Sequence, residues 1–254
     1  MVRVSVVTLT WNHVSYTKKA VKSLVPLLTK EDEFIFVDNN SDDGTKEYLE
    51  SLKLPCRKIL HFSDKHISIT KAYNIGIKNS SGEFVFIWDN DLEIVDNDTI
   101  ENLINIFSIE KDAGIVYPFV NKVINPIRPV SGPESKTYEL HEIKHRSRRP
   151  YPSCPSAAWL IHRKVIDKIG GFDERYTSYG MLDFDYAKTA LLAGFKIFID
   201  GSIYVEHGGS ITANDYMKGK NTGDIYKYNR TIFNRKWGFS CPGDPGVPKG
   251  GWRR

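Results

Sequence analysis

The sequence predicts an α/β fold in which a mainly parallel sheet is flanked by helices. In the first half of the chain, short apolar runs rich in β-branched residues alternate with stretches of helical periodicity. This alternation is typical of parallel strands joined by covering helices. Three of the runs end in polar clusters, and ligands bind at such strand ends in open parallel sheets. The 254 residues, 41% of them hydrophobic, suffice for one core of this kind.

The strands are predicted from runs that are wholly or partly apolar, because a strand buried on both faces carries few polar residues. They lie at residues 4–9, 34–37, 57–60, 84–88, 114–117, 157–161, 197–199 and 203–205. Helices are predicted where apolar residues recur three and four positions apart, as in residues 100–107. They begin at Ser15, at Asp43-Gly44, at Ile69, after Asp96 or Asn97, and at Asp183, the last ending at Gly194.

Between residues 118 and 155 the periodicity fades and prolines accumulate. A long segment without regular structure usually carries function or is mobile. Regular patterns then return, and the tail after Trp237 is rich in Pro and Gly. We therefore expect one domain over residues 1–212 and a C-terminal extension over residues 213–254.

Composition places the chain among ordinary globular proteins. The net charge of +4 is mild, fits a binder of phosphorylated small molecules and does not call for nucleic acid. The three cysteines are far apart, which argues against a disulfide framework or a zinc site. No apolar run approaches the ~20 residues of a membrane span, and the start enters a strand directly. We expect a cytoplasmic protein that reaches a membrane only at its surface.

The three polar clusters are residues 10–12, residues 38–44 and the triplet Asp89-Asn90-Asp91. Because the carboxyl ends of parallel strands meet at one edge of a sheet, we expect the clusters to converge. Asn and Asp also cap helices and form turns, so each cluster alone has a purely structural interpretation.

Asp89 and Asp91 carry the most specific chemistry. Two carboxylates at i and i+2 on a strand end can hold a hard divalent cation, and oxygen ligands suit Mg²⁺ or Mn²⁺. A cation bound by few protein groups keeps positions for phosphate oxygens. The sequence therefore predicts a metal site that binds a phosphorylated ligand.

A resemblance to a known family extends this reasoning. The segments at residues 7–12, 37–45, 71–76, 81–83, 89–91, 170–174, 183–185 and 207–210 resemble, in order, those of the family 2 glycosyltransferases. The resemblance implies the GT-A fold and inverting transfer of a sugar from a UDP-, GDP- or dTDP-sugar to a hydroxyl, most simply that of a glycan. It also implies a nucleotide-sugar half at residues 1–117 and an acceptor and catalytic half at residues 118–212.

The same resemblance assigns roles on the donor side. Asp91 is the principal ligand of Mn²⁺ or Mg²⁺, Asp89 approaches the metal and the ribose or donor sugar, and His207 completes the metal site. Binding of the nucleotide and donor is expected from Thr10, Asn12, Asp38, Asn40, Lys71, Asn74 and Asp89. Structural alternatives stay open for two of these residues, a packed histidine at His207 and a surface lysine at Lys71.

The resemblance places the general base at Asp183. Inversion requires independently that a carboxylate take the proton of the attacking hydroxyl. The alternative for Asp183 is a helix N-cap. Acceptor contacts are expected from Asp185, Trp159 and Arg148. The basic cluster at residues 144–149 would suit an anionic acceptor, such as a phosphorylated lipid carrier, an acidic glycan or a nucleic acid, or it is a solvated loop.

Three other functions would place different requirements on the same residues. A nucleotidyltransferase would need a glycine-rich, basic phosphate loop after the first strand, and Thr10-Trp11-Asn12-His13 is neither. A Rossmann dehydrogenase would need G-x-G-x-x-G there. A non-catalytic nucleotide-sugar-binding protein remains an alternative, although retention of the metal and base candidates argues against it.

Overall fold

The computed structural model describes residues 2–120, 149–150, 157–209 and 211–238. Within them, nine strands form one sheet in the order β3-β2-β1-β4-β8-β6-β9-β5, with β7 paired to β9. The strands are β1 (Val4–Thr10), β2 (Glu33–Asp38), β3 (Arg57–Phe62), β4 (Phe84–Trp88), β5 (Leu92–Ile94), β6 (Ala113–Val120), β7 (Arg149–Pro150), β8 (Ala158–His162) and β9 (Lys196–His207). The expected acceptor residue Arg148 and the neighbouring residues 144–147 lie outside the described residues.

The direction of strand pairing in the sheet changes from parallel to antiparallel after β4. Strands β3, β2, β1 and β4 are parallel to one another, whereas β8 runs antiparallel to both β4 and β6. Beyond β8, strands β6 and β9 are again parallel, and β5 is antiparallel to β9. The α/β class with a sheet flanked by helices is confirmed. Within the described strands, the longest run of parallel pairing joins β3, β2, β1 and β4, which lie in residues 4–88.

Helices cover both faces of the sheet. They are α1 (Val14–Leu24), α2 (Thr45–Ser51), α3 (Ile69–Lys78), α4 (Thr99–Ile109), α5 (Arg163–Ile169), α6 (Leu182–Leu192), α7 (Ile211–Met217) and α8 (Thr222–Trp237). Side chains of α1, α2 and α4 pack in one core cluster, and those of α3, α5, α6 and α8 pack in the other. None of these helices is long and apolar enough to cross a membrane.

Strand β4 shows why the strand sequences are almost wholly apolar. Phe84, Phe86 and Trp88 join the first cluster, and the intervening Val85 and Ile87 join the second. Side chains alternate between the faces of a strand, so a strand covered on both sides needs apolar residues at every position.

Two features at the C-terminal end differ from the sequence-based expectation. Residues 196–207 form one strand rather than two. Its pairing with β6 is irregular between Asp200 and Tyr204, where the side chain of Asp200 accepts a hydrogen bond from the amide of Ser202. The boundary expected at residue 212 falls inside α7. The following helix α8 is part of the same core, since Phe233 is fully buried in the second cluster.

Close packing of α3 on β1 gives a stability prediction. A Cβ atom at Gly76 would overlap Cγ1 of Val7. Gly76→Ala should therefore lower the free energy of unfolding by about 1–3 kcal/mol, measured by urea denaturation. Lys78→Ala, at an exposed position of the same helix, is the control and should change it by less than ~0.5 kcal/mol. An unchanged unfolding midpoint for Gly76→Ala would contradict this packing.

Candidate active site

The strand ends of the parallel half open into one cleft of about 190 Å³. Thr10 ends β1, Asn39 follows β2, and Asp89 and Asp91 follow β4, and all four line the cleft. Another part of the wall is formed by residues 177–180, together with Leu182 and Asp183 at the start of α6. His207, Thr212 and Tyr216 also line the cleft. The expected convergence of the strand ends is present.

Asp89, Asp91 and His207 form a compact group of potential metal ligands. A turn closed by the hydrogen bond from the Leu92 amide to the Asp89 carbonyl carries both carboxylates. Strand β5 then pairs Leu92 with His207 on β9, which brings the imidazole beside Asp91, with His207 Nε2 3.3 Å from Asp91 Oδ1. One ligand atom from each of the three residues lies within 4.8 Å of the others.

The electrostatics of this group favour a cation. Burial raises the pKa of Asp89 to about 7, and the negative charge of Asp91 adds to the rise. Burial acts in the same direction on Asp91, but the hydrogen bond and charge of His207 and the amide of Ile211 lower its pKa. The Tyr73 hydroxyl donates to Asp89 Oδ1 at 2.7 Å. Two close, buried carboxylates repel each other, so a divalent cation fits this donor set.

The loops after β1 and β2 are tied together behind the cleft. Asp38 is fully buried, and its carboxylate accepts hydrogen bonds from the Thr10 hydroxyl and from the hydroxyl and amide of Ser41. Asn12 adopts a left-handed backbone conformation, and its side-chain oxygen accepts from the amide of Asp42. Of these predicted donor residues, Thr10 lines the cleft, whereas Asp38 and Asn12 shape its wall. Their contact with a base or ribose stays a prediction.

The remaining predicted donor residues lie away from the cleft lining. Lys71 is exposed on α3, and Asn40 is exposed with its side-chain oxygen 3.4 Å from Lys46 Nζ. Asn74 has a clear structural role. Its side chain accepts from the amide of Phe172 at 2.8 Å and donates to the carbonyl of the same residue at 2.9 Å. Asn74 thereby joins α3 to the Gly-Gly-Phe segment before α6.

Asp183 lies in the cleft wall, in the first turn of α6. The N-cap residue of this helix is Met181, so Asp183 is not the N-cap, the structural alternative considered for it. Burial raises the pKa of Asp183 to about 6, against the hydrogen bond that its carboxylate accepts from the amide of Phe184. The carboxylate thus combines access to the cleft with a basicity above that of an ordinary Asp.

Two expected acceptor residues need correction. Trp159 is fully buried on β8, and its ring stacks on Phe172, so it contacts the core rather than an acceptor. Asp185 is 3% exposed and faces α8, where Lys236 Nζ and Trp237 Nε1 donate to it at 2.8 and 2.9 Å. Residues two apart on a helix point about 200° apart, which separates Asp185 from Asp183.

An aromatic group at the cleft was missed in the sequence. The rings of Trp11 and His66 are 4.6 Å apart edge to face, and His66 stacks on Tyr216 at 5.5 Å. Lys220 Nζ lies 3.3 Å from the centre of the Tyr216 ring. Trp11 belongs to the first polar cluster, but its partners come from segments without periodicity, and no local signal joins them.

The described fold is that of GT-A glycosyltransferases. It matches the mannosyltransferase PcManGT from Pyrobaculum calidifontis in complex with GDP-Man and Mn²⁺, with a TM-score of 0.63 and 17% identity over 84% of this chain and 59% of that one. It also matches S. aureus TarS 1-349 in complex with UDP-GlcNAc, with a TM-score of 0.60 and 18% identity over 94% and 73% of the two chains. At such identities the likeness concerns the fold.

The sequence gives the family. Residues 5–170 match Glycosyl transferase family 2, and the chain belongs to that family. Glycosyltransferase GlyG of Streptococcus pneumoniae serotype 4 is 29% identical over 226 residues, which are 84% of this chain and 74% of GlyG. An uncharacterized glycosyltransferase of Rickettsia typhi is 27% identical over 220 residues, and the match spans 61% of its length.

The raised pKa of Asp183 predicts a pH-dependent stability effect. The pKa is about 6 in the folded protein and about 3.9 in the unfolded chain, so ionisation disfavours folding as the pH rises through this interval. Asp183→Asn should therefore raise the free energy of unfolding at pH 8, by up to about 3 kcal/mol, and have little effect at pH 4. Urea denaturation at the two pH values measures the difference.

Asp173 provides a control of opposite sign. The hydrogen bond from Arg175 and the ion pair with Lys236 lower the pKa of Asp173, so its charge favours folding above pH 4 and the benefit is lost at lower pH. Asp173→Asn should therefore destabilise the protein at pH 8. A loss of stability at pH 8 in Asp183→Asn as well would contradict the assignment of Asp183 as a strained carboxylate.

Proposed function

We propose that this protein is an inverting, metal-dependent glycosyltransferase that transfers a sugar from a nucleoside diphosphate sugar to a hydroxyl group, most simply that of a glycan. Glycosyltransferase activity follows from the family; the mechanism and substrates are the proposal. The observation that supports it best is that a group of potential metal ligands and a separate carboxylate of raised pKa line the same cleft. A leaving group and an attacking hydroxyl need stabilisation from opposite sides of the anomeric carbon.

Asp89, Asp91 and His207 would hold Mn²⁺ or Mg²⁺ with the donor diphosphate. Bound there, the cation would offset the negative charge that grows on the departing nucleoside diphosphate. The protein's own contribution is to fix the ligands. Tyr73 holds Asp89 from α3, and the amides of Gly208 and Ile211 bond the main chain and the carboxylate of Asp91. The comparison enzymes in complex with GDP-Man and Mn²⁺ and with UDP-GlcNAc support a ligand of this class.

Asp183 would accept the proton of the acceptor hydroxyl as the new glycosidic bond forms. A base works best when its pKa lies near the working pH, and burial moves the pKa of Asp183 to about 6. At pH 7–8 the carboxylate is then ionised yet more basic than a solvated Asp. Asp183 and Asp91 line the same cleft, and attack from the face opposite the leaving group would invert the anomeric centre.

The nucleotide would lie on the β1–β2 side of the cleft. Thr10, Trp11 and Asn39 line this side, and Asn12, Asp38 and Asn40 shape the loops behind it. We propose a UDP-, GDP- or dTDP-sugar as donor, bound mainly by residues 1–117. The acceptor would enter along residues 177–183, the wall that carries Asp183.

Metal dependence is tested by nucleotide binding. Asp91→Asn should weaken binding of UDP or GDP at least tenfold in the presence of Mn²⁺ and hardly at all in EDTA, measured by isothermal titration calorimetry. The physical reason is that Asp91 would contact the nucleotide only through the cation. Asp64→Asn, which removes an exposed carboxylate, is the control. Full sugar transfer in EDTA would contradict the proposed metal site.

The role of Asp183 is tested by turnover. Loss of a positioned base typically lowers the rate by ~100- to 10,000-fold, so Asp183→Asn should lose transfer while binding nucleotide normally. Because the ionised carboxylate is the active form, the wild-type rate should fall as the pH drops below about 6. The assay is nucleoside diphosphate release from UDP-glucose, UDP-GlcNAc, GDP-mannose and dTDP-rhamnose with Mn²⁺ and an acceptor panel. NMR of the product should show an inverted anomeric configuration, and retention would contradict the mechanism.

A further inference from the structure

The loop that precedes Asp183 has an unusual backbone. Gly180 has a φ of 91° and Met181 a φ of 69°, both in the left-handed region. A non-glycine residue such as Met181 pays a conformational penalty there, and it persists only where the surroundings hold it in place. Helix α6 starts directly after Met181, so the backbone conformation of these two residues sets the orientation of the first helical turn and of the Asp183 side chain that it carries.

Asn229 on α8 is the group that holds this loop. Its side-chain nitrogen is within hydrogen-bond distance of three successive carbonyl oxygens, those of Ser178 at 2.9 Å, Tyr179 at 3.1 Å and Gly180 at 2.9 Å. The two N–H groups donate to these three acceptors, so one N–H is shared between two carbonyls. Asn229 is fully buried. Among the residues that the structure describes, its own oxygen has no hydrogen-bond partner, and a buried unpaired acceptor of this kind costs about 1–3 kcal/mol. The side-chain oxygen of Asn229 therefore lowers the stability of the fold, while the side-chain nitrogen makes the contacts with the loop.

Helix α8 approaches the loop closely at a second point. A Cβ atom at Gly180 would lie 2.7 Å from the Tyr226 ring, so only glycine fits at this position beside the helix. The far end of α8 is fixed separately, where Lys236 Nζ bonds Asp173 at 3.0 Å and Asp185 at 2.8 Å. Lys236 therefore anchors the C-terminal end of α8, whereas Asn229, near the middle of the helix, and Tyr226 contact the loop in the cleft wall.

We propose that Asn229 is a positioning residue for Asp183, fixing the loop of residues 178–181 so that the carboxylate is directed into the cleft. This inference rests on the proposed role of Asp183 as the base. In this proposal, α8 supports the active site directly and is not only a C-terminal extension of the fold. Because Tyr179 and Gly180 of the same loop also line the cleft, loss of Asn229 would act on the part of the wall that carries Asp183.

The test compares Asn229→Ala with Lys236→Met in the full-length protein. Both variants remove an anchor of α8, so both should lower the melting temperature, but only the first releases the loop. Asn229→Ala should increase amide hydrogen exchange in residues 178–183 at least tenfold. It should also lower kcat for nucleoside diphosphate release from UDP-glucose, UDP-GlcNAc or GDP-mannose by about ten- to a hundredfold, with donor KM within about threefold. Lys236→Met should leave loop exchange and kcat near the wild-type values.

Two further variants separate the possible failures. Asn229→Gln keeps the two amide donors on a side chain one methylene longer and should have an intermediate effect; it also serves if Asn229→Ala does not fold. An equal loss of kcat in Lys236→Met and Asn229→Ala, or an unchanged loop and kcat in Asn229→Ala beside an inactive Asp183→Asn, would overturn the positioning role. An active Asp183→Asn would instead overturn the proposed base itself.

Discussion

The carboxylates of Asp89 and Asp91 lie close together at the end of β4, where contact with water is limited. Much of the surrounding structure provides contacts that offset the free-energy cost of holding these charges there. Asp89 and Asp91 sit where the parallel half of the sheet meets the antiparallel β8. Helix α3 brings the Tyr73 hydroxyl to Asp89, and the β5–β9 pairing brings His207 to Asp91. Burial, together with the negative charge of Asp91, raises the pKa of Asp89 to about 7. A cation at this site would offset the repulsion between the carboxylates, which is the physical basis for the proposed binding of a diphosphate.

A second pair of acidic residues, Asp183 and Asp185, lies on α6, and the two side chains have different surroundings. Asp183 faces the cleft with a pKa raised by burial, whereas Asp185 faces α8 and is bonded by Tyr176, Lys236 and Trp237. The charge of Asp183 disfavours folding and its carboxylate lines the cleft, whereas Asp185 bonds to the C-terminal end of α8. Strained groups at functional sites persist where neighbouring contacts over-determine them, and Asn229 supplies such contacts here.

The local parts of this arrangement could be predicted from the sequence. The apolar run before Asp89 marks a buried strand whose end is a binding position, and family motifs locate His207 and Asp183. What depends on long-range packing could not be predicted. Nothing local shows that Trp159 points into the core, or that Asn229, in a largely polar helix, reaches a loop about 50 residues earlier. The packing of α8, beyond the boundary expected at residue 212, could not be predicted for the same reason, because its contribution to the second core cluster depends on contacts distant in the sequence.

The central claim is that Asp89, Asp91 and His207 form a metal site for a nucleoside diphosphate. Crystals grown with Mn²⁺ and either UDP or GDP, measured at the manganese absorption edge, test it most directly. We expect one anomalous peak within bonding distance of Asp91 and His207, with the diphosphate oxygens completing the coordination. A nucleotide bound in the cleft with no anomalous peak beside these residues would contradict the account.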